Sequence, residues 1–286
     1  MTAYDRAHAS LLGLALGDAL GSQFFIPANR PAYEEQTLPP PPWEWTDDTE
    51  MAASVLLVLS QHGRIDQNAL AAAFAEHHDF DRGYGPSTNR LLRLIREGGD
   101  WRVLAHEPFD GQGSWGNGAA MRVAPLGAWY ADNVEKAARE AELSAAVTHP
   151  HPEAVAGAIA VAVAAAIACE RPSPGAFIDT ILRHVPHGNV HDGIQEARRL
   201  LTVRDPALAA SVLGNGRQVA ARDTVPFTIW AAAHHLDDYE RAFWTTAAAG
   251  GDIDTTCAIV GGIVAAHTGL PASWLEACEP LPYFLG

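Results

Sequence analysis

Positive charge is scarce in this chain. Its 286 residues carry 19 lysines and arginines against 34 aspartates and glutamates, a formal net charge of −15. A surface of that sign is repelled by phosphate backbones and anionic lipid, which disfavours nucleic acid and membrane as partners. Cysteine is scarcer still. Cys169, Cys257 and Cys278 make an odd set with no Cys-x-x-Cys spacing, so a disulfide frame is not expected, and they read as reduced thiols of a cytoplasmic protein. Long hydrophobic runs are missing too. The longest, Ala154 to Cys169, is sixteen residues of mostly alanine and valine, too short and too weakly apolar for a membrane span and better suited to a buried helix. The opening MTAYDRAHAS has no basic stretch followed by an apolar core, so no secretion signal is expected. Alternating Val/Ile/Thr runs, tandem repeats and low-complexity tails are lacking as well, which argues against a sheet or a repeat architecture.

What is present is alanine in abundance and apolar residues at three- and four-residue spacing, the pattern of helices. The chain reads as one all-α domain over residues 1–286, a compact orthogonal assembly of about a dozen helices, and as a monomer. The first helix is expected over 7–20, followed by an irregular, proline-rich stretch from Gly21 to Trp45 that includes Pro39 to Pro42. A second helix starts at Thr46 or Asp47. Further helices are expected at about 67–77, 86–97, 117–130, 133–146, 152–169, 174–184, 191–203, 226–236, 238–249 and 254–268, most of them punctuated by Gly, Pro or a capping residue. One exception stands out: Phe109 to Gly118 holds four glycines in ten residues, a loop whose backbone can approach another group closely.

Two acidic clusters far apart in the chain look alike, Thr46-Asp47-Asp48-Thr49 and Gly251-Asp252-Ile253-Asp254-Thr255. Each stands just before an apolar helical run, where Asp and Thr serve as N-caps and carboxylates suit the positive end of the helix dipole. One cap needs one side chain, however, and each cluster supplies several oxygen-bearing groups. If the two helix starts meet, four carboxylates converge, and like charges a few ångströms apart repel by roughly 1–4 kcal/mol per pair at effective dielectrics of about 20–80. Neither cluster contains Lys or Arg. Oxygen-only ligands suit hard cations such as Mg²⁺, Mn²⁺ or Ca²⁺, and a two-metal site is the economical expectation.

Four segments then occur in order: Gly13-Leu14-Ala15-Leu16-Gly17-Asp18-Ala19-Leu20-Gly21, Trp45-Thr46-Asp47-Asp48-Thr49-Glu50-Met51-Ala52, Gly113-Ser114-Trp115-Gly116-Asn117-Gly118-Ala119-Ala120-Met121-Arg122, and Gly250-Gly251-Asp252-Ile253-Asp254-Thr255-Thr256. In these the chain resembles the ADP-ribosylglycohydrolase family, which includes the dinitrogenase reductase-activating glycohydrolases, over about residues 8 to 269. The resemblance implies an all-α fold with a binuclear magnesium site in a central cleft, manganese being a possible substitute. It implies Thr46, Asp47, Asp48, Asp252, Asp254 and Thr255 as metal ligands, with Asp48 and Asp254 as catalytic candidates for taking a water's proton while the C1″ bond breaks. It further implies that ADP-ribose, or an ADP-ribosylated substrate, is held by the loop residues Gly113, Ser114, Trp115, Gly116, Asn117 and Gly118, with Met121 and His149 beside them. Backbone N–H groups can bind phosphate without lysine, so the acidic charge is no obstacle.

His149, in Val147-Thr148-His149-Pro150-His151-Pro152, also reads as a structural helix start. Trp115, Tyr84 and Phe24 are aromatic candidates for adenine stacking or for packing. One departure from the family is plain: many members carry a glutamate just after the first motif, where this chain reads Gly21-Ser22-Gln23-Phe24-Phe25-Ile26-Pro27. Glu44 and Glu50 are the nearest carboxylates in sequence, Glu50 at a position that suits a solvent-facing side chain. The expected function is magnesium-dependent cleavage of the C1″ bond of an ADP-ribosylated side chain or of a small conjugate such as ADP-ribose-1″-phosphate. The alternative is a non-catalytic, metal-dependent ADP-ribose-binding module.

Overall fold

Capping chemistry sets most helix boundaries in the computed structural model, which describes residues 1–285. Thr2 and Asp5 form a reciprocal capping box, so the first helix runs Ala3–Ser22, starting ahead of its apolar stripe. Asp66, Ser173, Asp205 and Asp238 cap the helices Gln67–His77, Pro174–Leu182, Pro206–Leu213 and Tyr239–Ala247 by accepting first-turn N–H groups. Among the described residues there are seventeen α-helices, twelve of them eight residues or longer, and no strand. The all-α expectation is met.

Several boundaries differ from the sequence reading. The stretch 117–130 is not one helix: a 3-10 turn at Asn117–Ala119 is followed by Ala124–Trp129, restarted by Pro125 in its first turn. Pro226 sits inside the helix Ala221–His234, which begins five residues before the proline-led start expected there. The irregular stretch after Gly21 contains two 3-10 turns and a short helix, Arg30–Glu35. Pro206–Leu213 and Ala272–Ala277 were not legible as helices from their spacing.

Pro152–Ala168 is buried at every residue from Ala156 to Ala168, which explains its apolar all-round composition. No single helix among the described residues is long and apolar enough to cross a membrane. The three cysteines are free, Cys257 fully buried and the other two partly so.

The site is positioned by one helix crossing. Gly13, Gly17 and Gly21 recur every four residues along one face of Ala3–Ser22 and lie against Ile253–Ala265. A Cβ at Gly17 would stand 2.2 Å from the Cys257 carbonyl oxygen, one at Gly13 2.1 Å from Ala265 Cβ, and one at Gly21 2.8 Å from Asp254 Cα. Only bare backbone fits there. The Ser10 and Tyr239 hydroxyls donate across the same crossing to the Gly262 and Gly13 carbonyls at 2.7 and 2.6 Å. On the adjoining side, Leu11 and Leu14 pack with Ala52, Ala53 and Leu56 of the helix Asp47–His62. Asp18 of the first helix is thereby laid between the starts of the other two.

Gly17→Ala is expected to lower unfolding stability by roughly 1–3 kcal/mol through overpacking of backbone on backbone. Gly269→Ala, where a Cβ meets nothing within 4 Å, should stay within about 0.5 kcal/mol of the parent. Denaturant titration of both variants checks this; equal effects would contradict the crossing's role.

Candidate functional site

Asp18 is the residue that sequence reasoning missed. It stands in the apolar run Leu14-Ala15-Leu16-Gly17-Asp18-Ala19-Leu20 and is fully buried. Its carboxylate accepts the Thr46 hydroxyl at 2.7 Å, the Thr46 and Thr49 backbone N–H groups at 2.9 and 3.1 Å, and the Thr49 hydroxyl. Thr46, in extended conformation ahead of Asp47–His62, makes no side-chain cap of its own. A carboxylate from a neighbouring helix thus caps this helix start, leaving Asp47 and Asp48 free to face elsewhere. The signal available in sequence was a lone charge in an apolar helix, which demands a partner when buried.

The expected convergence is present. Carboxyl oxygens of Asp18, Asp48 and Asp254 all lie within 4.8 Å of one another. Asp48 is buried; its Oδ2 is reached by the Thr46 and Thr255 hydroxyls at 3.3 and 3.4 Å, and its Oδ1 has no hydrogen-bond partner at all. Asp252 completes the group, its Oδ2 accepting Asn117 Nδ2 at 2.7 Å. Burial first, and then the charges of Asp18, Asp47, Asp254 and Asp252, push the Asp48 carboxyl well above the usual carboxylate range. Asp254 is pushed up by burial and by the charges of Asp252, Asp18 and Asp47. Asp47 rises to about 8, by burial and the Asp18 charge. An orphaned buried oxygen, an all-oxygen donor set and mutually repelling charges fit a hard divalent cation, which Asp18, Asp48 and Asp254 stand close enough to share, with the other expected ligands Thr46, Asp47, Asp252 and Thr255 around them.

Asp47, Asp252 and Asp254 line a cleft of about 570 Å³, with Asp18 and Asp48 buried behind them. Ser114, Trp115, Gly116, Asn117, Gly118, Met121 and His149 form one wall, and Gly83 with Gly85 to Thr88 the other. The glycine loop is pinned by hydrogen bonds to the segment 219–221, the Asn117 N–H donating to Val219 and the Ala221 N–H to Trp115. His149 lies beneath it: a Cβ on Gly118 would come 2.7 Å from the imidazole Cε1, so glycine is required there by close approach. Burial and the Arg122 charge push the His149 imidazole down to about 3, which keeps the ring neutral, and Thr148 Oγ1 sits 2.7 Å from its Nδ1.

Two loop residues have other contacts. Gly113, with φ +75, stands outside the cleft lining and packs against Pro150, so it turns the chain without facing a ligand. Asn117 lines the cleft, and its amide donates to Asp252 and to the Thr224 hydroxyl. Of the aromatic candidates only Trp115 lines the cleft, with Phe109 over it at 4.1 Å between ring centroids. The Tyr84 hydroxyl donates to Glu50 at 2.7 Å, and Phe24 packs among Tyr33, Phe243 and Trp244.

No carboxylate replaces the missing glutamate. Gln23–Phe25 forms a 3-10 turn with Phe25 half exposed. Glu44 is on the surface, and Glu50 is buried, not solvent-facing, because the Asp79 N–H and the Tyr84 hydroxyl both donate to it. Arg122 also went unnoticed. Its guanidinium is fully buried without a carboxylate partner, donates to the Ser144 carbonyl at 2.9 Å, lies over Phe74, and is pushed down to about 9 by burial.

Raised folded-state carboxyl pKa values mean that the metal-free fold binds more protons than the unfolded chain, so its stability falls as pH rises from about 4, the ordinary carboxylate value, towards the Asp47 value of about 8. Saturating magnesium is expected to remove that loss. The gap in Tm between magnesium-loaded and chelator-treated protein should therefore widen from pH 5 to pH 8; a gap independent of pH would contradict the cation assignment.

The family model described as ADP-ribosylglycohydrolase matches residues 1–284. The chain is 34% identical to an uncharacterized protein of Archaeoglobus fulgidus, over 94% of this chain and 90% of that one. It is 28% identical to ADP-ribosylhydrolase ARH3 of Homo sapiens, over 96% of this chain and 89% of that protein. A solved structure described as an ADP-ribosylglycohydrolase-related protein complex superposes with a TM-score of 0.65 at 26% identity, covering 97% of this chain and 93% of that one. With its helical fold, its carboxylate cluster and a family match running almost end to end, the chain belongs to the ADP-ribosylglycohydrolase family and is a glycohydrolase.

Proposed function

We propose that this protein hydrolyses the C1″ glycosidic bond of ADP-ribose conjugates and needs divalent cations, two magnesium ions with manganese as a substitute. The observation that carries the reading is the carboxylate cluster that reaches, through Asp254, a cleft lined by the glycine loop. Cations bound there supply Lewis acidity and offset the repulsion among the aspartates.

The chain's own residues do the rest. The Gly118 backbone N–H and the Ser114 hydroxyl, whose oxygen accepts the Gly116 N–H, hold the diphosphate, and Trp115 and Met121 offer apolar surface to the nucleoside end. Neutral His149 backs the loop and keeps its shape. The distal ribose lies over Asp48, Asp252 and Asp254. As the C1″ bond breaks, positive charge develops on the sugar, and these preorganised carboxylates stabilise it. Asp254, which lines the cleft, takes a proton from the attacking water, with Asp48, whose Oδ1 no donor satisfies, as the second acceptor behind it. Asn117 and Asp18 are positioning residues for Asp252 and for the Thr46 helix start.

The cleft mouth is open: Phe109 and Val219 on its rim are 47% and 59% exposed. A conjugate attached to a protein side chain can therefore reach the floor, as can a small one. The free cysteines suit a reducing compartment such as the cytoplasm. The missing carboxylate after Gly21 favours a second reading, a non-catalytic ADP-ribose-binding module.

Product release from an ADP-ribosyl-arginine protein, an ADP-ribosyl-serine peptide and ADP-ribose-1″-phosphate, each with magnesium and with excess chelator, separates the two. Hydrolysis requires magnesium-dependent release from at least one, reduced at least 100-fold in Asp254→Asn without loss of Tm. Binding of ADP-ribose without release from any substrate would establish the module instead.

A further inference from the structure

Beyond Asp252 the cleft continues into an outer cavity of about 780 Å³. Its lining shares Asp252 and Val219 with the inner cleft and adds Arg30, Asn215, Gly216, Arg217 and Gly251. The glycine loop lies on the inner side, so with the diphosphate on that loop and the distal ribose at the aspartates, as proposed above, the outer cavity is where a C1″ substituent has room. The charges added on that side are both positive. Arg30 is tied to Glu34 at 2.7 Å. Arg217 is exposed and, among the described residues, pairs with no carboxylate.

Arg217 is held on a rigid support. Gly216, at φ +82, packs so closely on Asp252 that a Cβ there would stand 2.5 Å from Asp252 Cβ. The Gly216 N–H donates to the Asp223 carbonyl at 2.9 Å, and the Gln218 N–H to the Asp223 carboxylate at 2.7 Å. The Asp252 N–H donates to the Asn215 carbonyl at 3.0 Å. The turn 214–219 is thus bonded both to the helix that follows it and to the start of the catalytic aspartate cluster, and it carries an unpaired guanidinium at the edge of the exit path. In a chain of net charge −15, that unpaired positive charge beside Asp252 in the cavity lining attracts an anionic leaving group and repels a guanidinium one.

We propose that Arg217, with Arg30 beside it, makes the outer cavity a receptor for a negatively charged leaving group, a phosphate on C1″ being its smallest form. This rests on the hydrolase reading above and names its substrate class. Hydrolysis is balanced by water alone: the C1″–O bond to phosphate breaks, water supplies the new C1″ hydroxyl, and inorganic phosphate leaves with the remaining proton. Arg217 acts on binding and departure of the anion, outside the carboxylate machinery.

The test compares wild type, Arg217→Glu and Arg217→Gln on ADP-ribose-1″-phosphate, on an ADP-ribosyl-serine peptide with neutral flanks, and on an ADP-ribosyl-arginine peptide. Arg217→Glu should raise KM for the phosphate conjugate about five- to tenfold, a size set by one solvent-exposed charge reversal. It should leave the serine peptide within about twofold and improve the arginine peptide, with Arg217→Gln intermediate and all differences shrinking at high salt. Equal effects on the three substrates, or wild-type turnover of the serine peptide without the phosphate conjugate, would overturn the proposal. If wild type releases nothing from any substrate, the hydrolase reading fails by itself. The affinity of the ADP-ribose-saturated protein for inorganic phosphate, measured by calorimetry, then decides: five- to tenfold weaker in Arg217→Glu supports the receptor, and an unchanged affinity overturns it.

Discussion

Repulsion among buried aspartates is the constraint around which this fold is arranged. Asp18, Asp47, Asp48, Asp252 and Asp254 come from three helix segments that have no reason to meet unless something holds them. Two devices supply that hold. The glycine stripe Gly13, Gly17 and Gly21 lets the first helix lie backbone to backbone on Ile253–Ala265, and four donors from Thr46 and Thr49 dock the Asp47–His62 helix start onto Asp18. Packing energy, distributed along helices far longer than the site, therefore carries an electrostatic arrangement that would otherwise fly apart. That is the usual relation between a stable scaffold and a strained centre.

The same reasoning explains how the surroundings are built. Asn117 donates its amide to Asp252, and the turn at Gly216 packs on that same aspartate. Asp252 is thus gripped by the glycine loop and by the outer turn together, which ties the loop, the aspartates and the outer cavity to one another. A reacting sugar in such a site meets charges already aligned, so little reorganisation accompanies bond breaking. Beneath the loop, His149 and Arg122 are buried without acidic partners, and both are displaced in pKa towards their neutral forms. We read them as the polar packing that shapes the loop from behind.

How much of this was legible in the sequence depended on the range of the signal. The two Asp-Thr clusters were readable because excess carboxylates at a helix start are a local anomaly, and Phe109 to Gly118 because glycines crowd there. The long buried helix Pro152–Ala168 was readable from composition. Asp18 was not, since its meaning lies in donors about thirty residues away that only the helix crossing delivers. Glu50 looked like a surface residue because its partners, Tyr84 and the Asp79 N–H, belong to a later loop. The break before Ala124 was missed because apolar spacing on both sides of Pro125 keeps helical period while the proline restarts the helix. Arg217 carried no signal at all: an arginine in a glycine-rich turn becomes informative only once Asp252 is seen beside it.

The central claim is that this cluster is a cation site whose aspartates hold protons when the metal is removed. Calorimetric titration of magnesium into chelator-treated protein at pH 7, repeated in buffers of different ionisation enthalpy, tests it most directly, because metal and protons then compete for the same oxygens. The account predicts saturable binding of two ions per chain with net proton release, and a smaller release in Asp48→Asn, with Asp47 and Asp254 still giving up theirs. Binding without proton release, or no saturable binding, would contradict it.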